Sequence, residues 1–184
     1  MLNFKKKVSF YLMRTIKSKR IRDFLAQRKS RQINKSKIPK GIGRVFDIDV
    51  NHLNEKGYLN LGSFLSSKEI QNIMDKIKTF KCYDPFRKEL GMFMSDKIPA
   101  EVHVANYRRE DLSSVNELLE IANNSDILNV VQDFLGATPT ITNINMWWSI
   151  PGKERAEQAQ LFHRDVDDLK FCKLFIYFTD VDMS

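Results

Sequence analysis

Cysteine is scarce in this 184-residue chain: two residues, Cys82 and Cys172, lie far apart and form no CxxC pair. A disulfide scaffold is therefore excluded, and no small-residue cleavage site follows the N-terminus as a secretory signal would require. The plain expectation is a reduced, cytoplasmic protein. Long hydrophobic runs are missing too. The longest, Leu174-Phe175-Ile176-Tyr177-Phe178, falls far short of the roughly 20 residues a transmembrane helix needs. Seven Gly and five Pro, with no internal repeat in the body, leave no ground for a fibre. What is present, 42% hydrophobic and 29% charged residues, suits one ordinary domain large enough to bury a core.

Acid is nearly absent from the first 44 residues. They hold 15 Lys/Arg against the single Asp23, a net of +14, whereas the remainder holds 15 basic and 22 acidic residues, a net of −7. The basic balance belongs to an arm, residues 1–44, and the body, residues 45–184, is acidic. Within the arm Phe4, Val8, Tyr11, Leu12, Ile16, Phe24 and Leu25 recur at near-helical spacing between Lys5-Lys6-Lys7, Lys17-Ser18-Lys19-Arg20 and Arg28-Lys29-Ser30-Arg31. This pattern permits a basic amphipathic helix lying peripherally on an anionic membrane surface, or a contact with a phosphate-rich partner such as nucleic acid. A transit segment and a solvated, disordered tail have the same composition. Pro39, Gly41 and Gly43 mark the expected hinge into the body.

The body carries helix and strand signals. Gly57-Tyr58-Leu59-Asn60-Leu61 alternates and predicts a short strand. Ser66 with Glu69 forms a capping box ahead of Ile70, Ile73, Met74 and Ile77, predicting a helix over about 67–80. Ser114 with Glu117 predicts a second capped helix, and a third runs from about Asp126 to Gly136. Beyond Pro139 the residues Thr140 to Ile150, and later Phe171 to Thr179, predict strands.

The chemistry centres on Phe162-His163-Arg164-Asp165. A His and an Asp two residues apart on an extended segment face the same side, because strand side chains alternate with period two. Imidazole and carboxylate are donors of the 2-His-1-carboxylate triad that leaves positions open on Fe(II). The pair alone is unspecific, since an exposed loop His beside an acid cluster reads the same. A kinase catalytic loop is excluded because the position five residues after Asp165 is Lys170, not Asn. A calcium loop is excluded because Leu169 and Lys170 stand where a ligand and the turn Gly are required.

The surroundings extend the signal. Gln160-x-Phe162-His163-Arg164-Asp165-x-Asp167-Asp168-x-Lys170-Phe171, then Leu174 to Asp182, with Trp148-Ser149-x-Pro151 upstream and Leu53 to Tyr58 and Phe64 to Ile70 before it, resembles the phytanoyl-CoA dioxygenase family over about 53–182. The resemblance implies an α+β fold, a double-stranded β-helix (a cupin-like jelly-roll) with N-terminal helices, incomplete in this chain. It implies an Fe(II)/2-oxoglutarate-dependent hydroxylase acting on a small molecule, with His163 and Asp165 holding the iron near Met146 or Trp148. Met146, Arg164 and Phe178 would border 2-oxoglutarate. The halogenating relatives lack the carboxylate found here at Asp165, so hydroxylation is expected.

In that family a second His ligand and an Arg that anchors 2-oxoglutarate follow the segment ending at Asp182, whereas this sequence runs only to Ser184. The expectation is a fragment, inactive alone, whose barrel a second polypeptide would complete. His52 and His103 are weaker candidates for a third ligand, and Lys173 for a carboxylate contact. Three readings follow: an oxygenase portion, a non-catalytic scaffold, and a module that works through its basic arm.

Overall fold

The computed structural model describes Tyr11 and residues 14–33, 50–157, 160–163, 165 and 167–180. The expected hinge at Pro39 to Gly43, the apolar positions Phe4, Val8 and Leu12, and Val181-Asp182 lie outside them. The chain divides into two compact units: the first is Met1–Gly62, Asn124–Thr140 and Arg164–Phe175, and the second is Ser63–Asn123, Ile141–His163 and Ile176–Ser184.

The first unit is helical among its described residues. Helix α1 spans Lys19–Ser30, α2 spans Val50–Lys56 and α6, later in the chain, spans Ser125–Leu135. Asn124 caps α6, its Oδ1 accepting from the amides of Asp126 and Ile127 at 3.1 Å each, which satisfies two of the free donors at a helix start. Gly136 ends it in the left-handed region at φ 76°, a conformation a side chain would strain. Leu53 and Ile127 are buried where α2 lies against α6. Ala26 is the buried residue of α1, and the Ser30 hydroxyl lies 3.4 Å from where a Cβ on Gly136 would stand. The segment from Asp165 to Phe175 contributes lysine contacts. Lys29 pairs with Asp168 at 3.4 Å. The Lys170 ammonium donates to the Phe134 carbonyl and sits 4.0 Å from the centre of the Phe134 ring, a site at a helix C-terminus that favours a cation.

The second unit is built round an antiparallel sheet. Its strands are β1 (Lys81–Tyr83), β2 (Met92–Met94), β3 (Val104–Tyr107) and β4 (Trp147–Ser149), in the spatial order β2-β1-β3-β4. Cys82 pairs with Phe93 on one side and Tyr107 on the other, and Ala105 pairs with Trp148. Helix α3 (Ser67–Ile77) precedes the sheet, and α4 (Arg109–Leu112) and α5 (Asn116–Ala122) follow β3. The expected capping box is present: Glu69 accepts from the Ser66 amide at 2.8 Å and Ser66 Oγ accepts from the Glu69 amide at 3.3 Å. The apolar face of α3 then points Ile73 and Ile77 into a core with Cys82, Val102, Ala105, Tyr107, Leu112, Val115 and Leu118. On β3 the period of two is visible, Ala105 and Tyr107 being buried while Val104 and Asn106 are half-buried. Full burial of a side chain the size of Ile77 contributes about 1.5–3 kcal/mol.

Several local expectations differ from what forms. Gly57 to Leu61 is not a strand, and the residues before it are helix α2. Of Thr140 to Ile150 only Trp147–Ser149 forms a strand, and Phe171 to Thr179 forms none. Alternation and β-branching make a segment competent for pairing, but pairing itself depends on a neighbour far away in sequence. The capping box at Ser114 does not form. The Ser114 hydroxyl donates back to the Asp111 carbonyl, because α4 ends just before it, and Val115 takes the cap position of α5.

Candidate functional site

His163 and Asp165 fall on either side of the division between the units, His163 ending a segment of the second and Asp165 belonging to the first. Neither lies in a strand, so the period-two argument for a shared face has no sheet to rest on. The intervening Arg164, expected beside 2-oxoglutarate, lies outside the described residues.

His163 is exposed, and its Nδ1 lies 2.8 Å from the Leu161 carbonyl. A carbonyl only accepts, so this contact needs a proton on Nδ1, and in the neutral ring the lone pair is then on Nε2. That is the tautomer and the type of backbone contact by which proteins orient an imidazole toward a metal. Asp165 is 40% exposed and receives the Lys173 ammonium at 2.7 Å, which also reaches Asp167 at 3.0 Å. Burial disfavours the charge on Lys173, but the two carboxylates outweigh it and raise its pKa. Lys173 thus offsets part of the charge of the acid cluster to which Asp165 belongs.

Met146 and Phe178 are both half-buried against the core of the second unit, together with Trp148. The Met146 carbonyl accepts from the Tyr107 amide at 3.0 Å, and Trp148 Nε1 donates to the Tyr107 hydroxyl at 2.9 Å. Burial pushes the Tyr107 phenol up and does the same to the neighbouring Cys82 thiol, so both stay neutral over the physiological range.

One polar cluster escaped the sequence. Asp84 is almost wholly buried, at 1% exposure, and its Oδ1 accepts from the amides of Phe86 and Arg87 at 2.7 and 3.2 Å, the geometry of an Asx turn. Arg87 bridges Asp84 at 3.1 Å and Glu157 at 2.7 Å, and Glu157 and then Asp84 raise the guanidinium pKa. Glu157 faces His103 Nε2 at 3.5 Å, and His103 Nδ1 lies 3.4 Å from Gln160 Oε1. Gln160 also donates to Ser149 Oγ at 3.3 Å. The network ties the segment that leads into His163 onto β3 and β4. Only the Asp84 turn had a local signature, since Arg87 and Glu157 are 70 residues apart.

His103 is therefore engaged with Glu157 and Gln160. His52 lies on α2, with its ring edge-on to Tyr58 at 5.8 Å. Among the described residues no group of three His, Cys, Asp or Glu side chains is arranged to hold a metal ion. No family model matches the chain, and comparison with curated proteins and with solved structures gives no match either. Among the described residues no helix is long and apolar enough to cross a membrane.

Proposed function

We propose that this chain contributes His163 and Asp165 to the Fe(II) centre of a 2-oxoglutarate-dependent hydroxylase. The observation that carries the reading is the contact of His163 Nδ1 with the Leu161 carbonyl, which directs Nε2 to act as a donor two residues from a half-exposed carboxylate. The donor chemistry, one imidazole and one carboxylate, suits Fe(II). Two donors do not complete a triad, so the reading requires a third from outside the described residues, and a second polypeptide is its proposed source. Bound iron would supply activation of dioxygen driven by oxidation of 2-oxoglutarate. Met146, Arg164 and Phe178 are proposed to border the co-substrate, and a small molecule is the proposed substrate. In this reading the four-stranded sheet is part of a jelly-roll, and the protein works in the cytoplasm.

Anaerobic titration with Co(II), whose visible spectrum reports its ligands, tests the donors. His163→Ala and Asp165→Asn are each expected to weaken Co(II) binding by at least about tenfold, and His103→Ala to leave it unchanged. Equal affinity in the native chain and in both site variants would overturn the assignment, as would a loss caused by His103→Ala alone.

A further inference from the structure

Helix α1 has two unlike faces. Ala26 is buried and Arg22, Asp23, Leu25 and Ser30 are half-buried, whereas the other residues from Lys19 to Arg31 are exposed. At 3.6 residues per turn five of the exposed residues, Arg20, Ile21, Phe24, Arg28 and Arg31, fall within about 100° of arc, opposite Ala26. Ile21 keeps 53% and Phe24 64% of its surface exposed, and three arginines surround them. The only acid in residues 1–44, Asp23, is half-buried and lies outside this arc, about 60° beyond Arg20.

We propose that this outward face of α1 docks on an anionic lipid bilayer. Arginines set beside exposed apolar side chains match the headgroup boundary, where cations meet lipid phosphate and carboxylate while Ile21 and Phe24 enter the acyl region. Charge complementarity favours an anionic partner, since the arm has a net of +14. The aliphatic member of the exposed pair, Ile21, decides between anions. A nucleic-acid backbone recruits cations and leaves an aliphatic side chain such as Ile21 in water, because only flat rings offer bases a stacking surface. A bilayer takes up both residues.

The test is co-sedimentation of the full chain with vesicles of phosphatidylcholine, with and without phosphatidylserine, alongside a gel-shift with single- and double-stranded DNA. Binding is expected only to vesicles containing phosphatidylserine, and it should fall as salt rises. The double variant Ile21→Ser with Phe24→Ser should lose about tenfold or more of that binding with its charge unchanged. Separately, Arg20→Gln with Arg28→Gln and Arg31→Gln should lose about 100-fold. All five positions are exposed, so circular dichroism should be unaltered, and the charge variant tests the face independently if the apolar one unfolds. Vesicle binding that survives both sets of substitutions, or DNA binding tighter than vesicle binding and indifferent to Ile21 and Phe24, would overturn the proposal.

Discussion

In the second unit Ile77, Cys82, Val102, Ala105 and Leu112 have no exposed surface, while in the first the most deeply buried described residues, Ala137, Leu53, Ala26 and Ile127, all keep 6–8%. The difference follows from construction. A sheet with short helices against it interlocks side chains from many directions, and its two central strands β1 and β3 are each paired on both edges. Helices packed on one another meet along narrower stripes, and the first unit supplements its small apolar contacts with lysines: Lys29 on Asp168, Lys170 on the end of α6, and Lys173 on Asp165 and Asp167. Stability is thus expected to be uneven, with the second unit opening last.

The largest test of that contrast is a pair of core truncations. Ile77→Ala should cost about 3–4 kcal/mol and Leu53→Ala about 2 kcal/mol, measured by urea unfolding of each variant. Equal costs would show that the residual exposure of the first unit does not matter, and the comparison would break there.

A smaller effect is carried by Lys170. Burial lowers its pKa below the ordinary 10.5, with Asp23 opposing and Lys19 reinforcing the shift. The sign is fixed by proton counting: below 10.5 and above the folded value, the unfolded chain holds more protons, so stability rises with pH across that window. Below the folded value the penalty is present in full. Lys170→Met should flatten this rise relative to the native chain when urea midpoints are compared from pH 7 to pH 10.5. An identical pH slope in the two proteins would mean that the ammonium is as well solvated folded as unfolded.

The smallest effects come from the two helix caps, one in each unit. Ser66→Ala and Asn124→Ala should each cost about 1 kcal/mol. If the units unfold separately, each substitution moves one transition and leaves the other in place. If a single transition shifts by the same amount in both variants, the units are cooperative.

How far these elements are legible in the sequence depends on the range of the forces that form them. Helix α3 could be read because Ser66, Glu69 and the apolar residues behind them are local neighbours, and α6 because Gly136 ends it. Strands β1 and β2 are three residues each, too short for a period to show. Leu174 to Phe178 has strand composition and does not form a strand, which composition cannot reveal. Of the candidate site, the residue types at positions 163 and 165 were legible, but the contacts that orient them were not. Leu161 offers a carbonyl that any residue there would offer, and Lys173 reaches Asp165 from eight positions along the chain. The Arg87–Glu157–His103 network was invisible because its members meet only once β3 and the segment after β4 are in place.

The two tryptophans of the chain are adjacent on β4, Trp147 exposed and Trp148 half-buried with its indole nitrogen bonded to Tyr107. Tryptophan emission, excited at the red edge of the band where tyrosine does not absorb, therefore originates in a single edge strand, and the first unit, which holds no Trp, does not contribute to it. Circular dichroism at 222 nm, by contrast, is dominated by helices drawn from both units. The gap between an unfolding curve followed by fluorescence and one followed by dichroism is thus a label-free gauge of how independently the two halves melt.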